Sequence, residues 1–541
     1  MNRILILLAS LFLVGSWSFP ATAAGLSIKN PSSKTTYCKK QSIPIRWRSE
    51  KAGNWIRIEL LKSGIRYKTI KSRYRNTGAF NWPIPTSVRI GNGYSIRVSS
   101  LNKTYIKGKS TAFSIAGERR KCKSYDVVTV QAAWKSGANG LANAAALDLD
   151  GDGDEDIVNS PFGGINDSKT YPIKIFLNQG NYIFKKYSSK RSAIKFDKKP
   201  RASFGRDILV ADINQDGFDD FYVADATECS GSTICPPFEG GQQFAYISKS
   251  AGRYKKVYLG FGKVTAHGYG IADVNSDGYP DIIFNTLGNA RPAKPNIGIA
   301  IYDPSKMRFS QSRIKEPDGM SSDWWGKSLY FYTAVLDVNN DGAIDVIALS
   351  PDDLSDHRIF LGDGRGNFTF DRTFGIGGSS KYLKVESVAV GDFNGDGYSD
   401  FAALAQDRNP STWKSGSKAI VASWLQVFIN NKKGSFFNAS KRFLGSKYQN
   451  RRLGSGNFYL LYALDANQDG KTDLAVTPSV GPPYKGEFSV LISDGKKFQK
   501  RVVAKNAGPR LLIMNEHGTK KSRPQILFEH EGKVKMVLFR Y

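Results

Sequence analysis

The sequence predicts an all-β chain in which one short antiparallel unit recurs along most of its length, behind a small β-sandwich. Three observations carry this. A nine-residue acidic pattern occurs six times, each copy lies between two β-rich runs, and residues 25–120 lack the pattern but alternate apolar and polar residues between turn signals.

At 541 residues the chain is too long for a single core, which points to several units or a repeat. With 40% apolar and 12% aromatic residues, it is not a disordered composition. Arg3, the apolar run Ile4–Val14 and the small residues after Pro20 have the anatomy of a secretory signal peptide. Residues 1–24 are therefore expected to be cleaved near Ala23 or Ala24, and the mature protein to be exported and soluble. No later run reaches the roughly 18 apolar residues of a membrane span. Four cysteines are too few to carry the fold. Cys229 and Cys235 are near enough to close a small loop, which would leave Cys38 and Cys122 to pair, but three connectivities stay open.

The repeated segments are ALDLDGDGDEDIV, VADINQDGFDDFYV, IADVNSDGYPDIIF, VLDVNNDGAIDVIAL, VGDFNGDGYSDFAAL and ALDANQDGKTDLAV. Their first aspartates, Asp148, Asp212, Asp273, Asp337, Asp392 and Asp465, are separated by 64, 61, 64, 55 and 73 residues. Such a period means one supersecondary unit that buries its faces on its neighbours.

Each copy reads Asp-x-(Asp/Asn)-x-Asp-Gly-x-x-Asp. Oxygen atoms at positions one, three, five and nine, with a backbone carbonyl at position seven, would surround a hard cation, and glycine at position six permits the sharp turn. The candidate ligands are Asp148, Asp150, Asp152, Asp154 and Asp156 in the first loop, and Asp212, Asn214, Asp216, Phe218 and Asp220 in the second. The third offers Asp273, Asn275, Asp277, Tyr279 and Asp281, and the fourth Asp337, Asn339, Asp341, Ala343 and Asp345. The fifth offers Asp392, Asn394, Asp396, Tyr398 and Asp400, and the sixth Asp465, Asn467, Asp469, Lys471 and Asp473. An all-oxygen set in a flexible loop suits Ca²⁺, up to six ions in all. Metal-free Asp/Asn/Gly turns would explain one copy more easily than six. The bidentate glutamate of an EF-hand at position twelve is missing, since Asn159, Val223, Phe284, Ala348, Ala403 or Val476 stands there.

On these residues the segments resemble the FG-GAP and VCBS repeats of integrin alpha-subunit-type β-propellers, whose blades hold calcium in this loop between their first two strands. The resemblance covers about residues 125–541. Further runs such as IKIFLN and YIFKKYS make four strands per blade. A seventh unit, RLLIMN, RPQILFEH and KVKMVLFRY, carries NEHGTKKSRP where the loop would be, so no metal is expected there. It lacks one strand, and DVVTVQAAW (Asp126–Trp134) is expected to supply it and close a seven-bladed ring.

In residues 25–120, the runs IPIRW, WIRIELL, YSIRVSS and TAFSI, with FNWPIP between them, read as a small antiparallel sandwich. They are similar to the Ser/Thr-rich GPI-anchored membrane family domain, an Ig-like module, although no C-terminal GPI signal accompanies them. Glu118–Ser124 is the expected linker. The fold class is thus all-β, a seven-bladed β-propeller preceded by a small Ig-like β-sandwich.

The six loops contain 22 of the 48 acidic residues, so 26 stand against nearly all 77 Lys and Arg elsewhere, and the net charge is +29. Such an excess attracts polyanions over long range, and Lys198–Arg201 and Arg451-Arg452 are local clusters of it. No GxSxG, HExxH or complete phosphate loop occurs, and the GK(S/T) segments at Gly108, Gly326 and Gly470 lack the upstream glycine. His267 is a candidate acid or base but more often such a histidine is structural, and Trp324-Trp325 is a candidate sugar platform but more often core. The reading is a secreted, periplasmic or cell-surface calcium-binding propeller for an extracellular polysaccharide or other cell-surface ligand, acidic ones included, without a dedicated nucleic-acid role. The alternative is a lyase-type polysaccharide-active enzyme on the same scaffold.

Overall fold

A computed structural model describes residues 26–539 other than 32–35, 40–41, 49–51, 86, 104, 118–124, 133–142, 162–169, 180–182, 190–191, 193, 204, 226–240, 288–295, 316–331, 350–356, 375–382, 408–421, 446–458, 479–485, 516–523 and 531–532. The leader, the linker, the side chains of all four cysteines, Trp324-Trp325, Arg451-Arg452 and the metal-free loop of the seventh unit lie outside the described residues. No helix among the described residues is long and apolar enough to cross a membrane. The chain divides into two compact units that meet in sequence at Ser124 and Tyr125.

The first unit is two facing sheets. Strands Ser27–Asn30, Ser42–Arg48 and Ala79–Pro83 make one, and Thr36–Cys38, Phe113–Ala116, Gly91–Ser100, Trp55–Lys62 and Ile65–Arg75 are the main strands of the other. Ile43, Ile45 and Trp47 of the first sheet pack on Ile56, Ile58, Leu60, Ile96 and Val98 of the second. Ile65–Arg75, an edge strand, exposes nearly every residue and carries Arg66, Lys68, Lys71, Arg73 and Arg75. Charge on an edge discourages pairing with another chain.

The second unit is built on antiparallel meanders, seven of four strands each among the described residues. The first comprises Ala144–Leu147, Asp156–Asn159, Lys174–Asn178 and Ile183–Lys186. The others follow the same order, with Arg253–Ala272 serving as last strand of the second meander and first strand of the third. Phe498–Asn515 links the sixth and the seventh in the same way. First strands touch one another in succession, and Phe498–Asn515 returns to Ala144–Leu147, so the succession closes on itself.

Second strands such as Asp220–Asp225 and Asp345–Leu349 are buried on both faces, which explains their unbroken apolar runs. Outermost strands alternate, as in Phe368–Phe374, because one face meets water. Apolar clusters fill the spaces between neighbouring meanders. Leu147, Val158, Phe221 and Tyr246 join the first to the second, and Phe488 meets Phe528 at 5.1 Å between the sixth and seventh.

The run after the linker behaves as one latch with two ends. Tyr125–Thr129 pairs antiparallel with Lys533–Phe539, and Gln131–Ala132 then pairs parallel with Ile183–Lys186 of the first meander. Between them Val130 is buried in a cluster with Ile157, Phe176, Leu512 and Met536, which spans the first and seventh meanders. Val130→Asp should therefore cost about 3 kcal/mol in urea unfolding, by burying an unpaired carboxylate. Val127→Asp, at a position 41% exposed, should change stability by less than about 0.5 kcal/mol. Equal losses would contradict this packing.

Candidate metal centres

All six acidic loops join the first strand of a meander to its second, and they share one hydrogen-bond pattern. One oxygen of the position-one aspartate accepts the position-five amide at 3.1–3.2 Å. Its other oxygen accepts the glycine amide of position six at 2.7–3.0 Å. The position-five aspartate accepts the position-seven amide at 2.8–3.0 Å. Where position three is asparagine, its carbonyl oxygen accepts the position-five amide at 2.8–3.3 Å. The loops are thus folded around their own acids.

Position six has φ between 86° and 91° in every copy, and a Cβ there would meet nothing within 4 Å. Glycine is required for its backbone conformation, not for space. Position four is also left-handed throughout, at Gly151, Gln215, Ser276, Asn340, Gly395 and Gln468. Glycine and asparagine signal this in three copies, but glutamine and serine do not.

The position-nine aspartates, Asp156, Asp220, Asp281, Asp345, Asp400 and Asp473, are 0–1% exposed. One oxygen of each accepts the position-two amide of its own loop at 2.7–3.2 Å. The other accepts an amide of the meander's third strand, from Asn178, Ser248, Tyr302, Gly362, Asn430 or Ser493, at 2.6–2.9 Å. This residue clamps the loop to the sheet, a role that spacing alone did not reveal. Burial pushes these carboxyls far up, Asp156 to about 9, Asp345 to about 6, and the other four to about 7.

The position-two carbonyl points the other way, into the next meander. It accepts from Tyr254 Oη at Leu149, from the Gly366 amide at Val274, from Asn430 Nδ2 at Val338 and from Ser493 Oγ at Phe393. Those distances run from 2.6 to 3.2 Å. One peptide therefore joins a loop to its own sheet and to the adjacent one.

The oxygen set fits a hard cation. Asp148, Asp150 and Asp152 bring one carboxylate oxygen each within 4.8 Å of one another. Asp150 Oδ1 is buried without a hydrogen-bond partner, an orphan that a cation would satisfy. Burial first, then the charges of Asp152 and Asp148, raise the Asp150 pKa. The fifth and sixth loops differ, because Lys432 Nζ lies 3.3 Å from Asp396 and Lys471 Nζ 2.9 Å from Asp469. An ammonium there competes with a cation for a position-five oxygen. Away from the loops, His267 is buried with Nε2 3.5 Å from an Arg206 nitrogen. Of the basic cluster Lys198–Arg201, Lys199 and Arg201 line a cleft beside the first meander.

A family model described as FG-GAP-like repeat matches residues 148–223 and 337–403. Among curated proteins, a T-cell immunomodulatory protein homolog of Plasmodium yoelii yoelii is 23% identical over 223 residues, covering 39% of this chain and 30% of that protein. Integrin alpha-3 of Cricetulus griseus is 28% identical over 194 residues, covering 30% of this chain and 16% of that protein. The chain thus spans less than a third of the length of either relative. Among solved structures, the Dos1 propeller aligns with TM-score 0.34 at 10% identity, over 71% of this chain and 75% of that one. A GH43 β-1,3-galactosidase aligns with TM-score 0.31 at 12% identity, over 57% and 98%. The matched segments begin on position-one aspartates and include loops with the shared hydrogen-bond pattern, and these two segments of the chain are accordingly similar to FG-GAP-like repeats.

Proposed function

We propose that the chain is an exported, calcium-stabilised seven-bladed propeller behind an Ig-like sandwich, acting as an extracellular binding or adhesion module for carbohydrate or another anionic surface ligand. The observation that carries the calcium reading is the recurrence of one oxygen-rich loop in six places, with an orphaned buried oxygen at Asp150. Calcium would draw positions one, three, five and seven together and remove the repulsion among them, with affinities of roughly 10⁻⁴–10⁻³ M as in other extracellular modules. The binding reading is supported by a basic surface outside the loops. An array of immobilised glycans and matrix proteins tests it, and selective retention of acidic glycans is the expected result.

A second reading, a lyase-type enzyme on polysaccharide, is favoured by the half-buried Arg206 beside the buried His267, since a cation beside a base can serve proton abstraction next to a carboxylate. Turnover of uronic-acid polymers, lost in His267→Ala, would replace the binding reading with this one.

Positions three and nine should respond differently to substitution. Asp281→Ala should cost about 2–4 kcal/mol in both calcium-loaded and metal-stripped protein, because two buried amides lose their acceptor. Asn275→Ala should cost more stability in calcium than without it, since metal-free its side chain makes only exposed bonds within the loop, donating to Asp277 at 2.9 Å and accepting the Asp277 amide at 3.3 Å. Equal costs for Asn275→Ala in the two states would remove that site's metal.

The pH dependence has a definite sign. Position-nine carboxyls are raised above their ordinary value, so the folded metal-free protein holds protons that the unfolded chain has released. That stability is fully present below about pH 4 and is lost as pH rises through about 7. Calcium favours the ionised forms, so the Tm gain on adding it should grow from about pH 5 to about pH 8. A gain that is flat or shrinks across that range would contradict metal binding in the loops that these carboxylates clamp.

A further inference from the structure

Beside the first meander lies a cleft of about 900 Å³, within the usual size range of ligand pockets. Lys174 and Lys186 come from its third and fourth strands, and Lys195, Lys199 and Arg201 from the connection to the second meander. That connection is ordered by short pairings of its own. Tyr171–Pro172 pairs with Arg201–Ala202, and Lys195–Phe196 pairs with Arg253-Tyr254. Among the described residues, five cations line the cleft and no carboxylate does.

Three of the five, Lys174, Lys186 and Lys199, have ammonium groups with no hydrogen-bond or ion-pair partner among the described residues. Lys195 Nζ donates to the Ser189 carbonyl at 3.3 Å, and Arg201 Nε to Thr170 Oγ1 at 3.1 Å. Like charges gathered in a concave site repel, and they focus a positive potential that an anion relieves. Tyr171, Tyr187 and Phe196 add ring surface to the same walls.

A second, independent observation lies in the cleft lining. Ser160 is 1% exposed, and its Oγ has no hydrogen-bond partner. Gly205 makes room for this hydroxyl, since a Cβ there would fall 1.6 Å from the Ser160 oxygen. A buried hydroxyl without a partner is uncommon in a folded protein and marks a place where a bound molecule can complete the bonding.

We infer that this cleft is the binding site for an acidic oligosaccharide, its anionic groups held by Lys174, Lys186 and Lys199, its ring faces against the aromatic side chains, and one hydroxyl bonded to Ser160. This rests on the binding-module reading above. Carboxylate of a uronic acid and sulfate of a sulfated sugar share the required chemistry. A nucleic acid would fit the charge, but the expected export of the chain favours sugar.

The test is calorimetric titration of the full chain, in calcium-containing buffer, with tetragalacturonate and separately with a heparin tetrasaccharide, which tells carboxylate from sulfate. The variant Lys174→Gln/Lys199→Gln should weaken binding of the preferred sugar about tenfold or more, as expected for lost charge-assisted bonds. Lys496→Gln/Lys497→Gln, which removes the same charge at a distant hairpin, should leave it within about twofold. Ser160→Ala should weaken binding severalfold without lowering Tm, whereas a merely structural hydroxyl would leave affinity unchanged. Equal weakening by the two double variants would overturn the cleft, because bulk charge would then suffice. Unchanged binding by the cleft variant would overturn it while leaving the binding-module reading intact. Failure of the unaltered chain to bind either sugar, or tighter binding of single-stranded DNA, would remove both.

Discussion

The interaction on which the rest of the repeat region depends is a buried aspartate holding two backbone amides. At position nine of each acidic loop, one carboxylate oxygen takes the amide of position two and the other takes an amide of the third strand. No water reaches these groups easily, so the bonds are strong and the unpaired alternative is costly. The loop is fixed to the sheet at the point where its backbone turns. The adjacent carbonyl then carries the connection to the next meander, as at Val338 and Asn430. Local turn, sheet and neighbouring sheet are joined through a single residue of backbone.

This arrangement explains why the repeat tolerates variety in some positions and not in others. Position seven holds Asp154, Phe218, Tyr279, Ala343, Tyr398 or Lys471, because the loop uses only its backbone. Position two is Leu149, Ile213, Val274, Val338, Phe393 or Ala466, each buried, because the clamped peptide places its side chain in the core. A cation bound by positions one, three and five would act on a loop already shaped for it, so the ordering entropy of binding is small. The same acids without a cation are a liability, and burial at position nine raises their affinity for protons instead.

Much of this was legible in the residues. Six acid spacings with glycine at position six identify the loops, since few other uses combine repulsive charge with a left-handed turn. A strand-like run with no unit of its own is visible at Asp126–Trp134, but not that Tyr125–Thr129 pairs with the last strand while Gln131–Ala132 pairs with the first meander. What the sequence hid depends on tertiary partners. Nothing in Asp281 tells that Tyr302 supplies an amide to it. The edge strand Ile65–Arg75 carries no regular apolar alternation, because only Ile70 and Tyr74 pack against the core and the rest of the strand is exposed. The continuous strand Arg253–Ala272 reads as two runs, since its halves belong to different meanders. Nothing in the run Lys198–Arg201 tells that Lys199 and Arg201 share a cleft with Lys174 and Lys186.

The most direct test of this account is amide hydrogen exchange at position two of the loops, Ile213, Val274 and Val338, measured in metal-stripped protein. If the buried aspartates clamp these amides, they exchange only through large-scale opening, as slowly as the core amides of the second strands, and calcium slows both together. Exchange at the rate of exposed loop amides in the metal-stripped protein would show that the clamp does not hold without its cation, and would contradict the account.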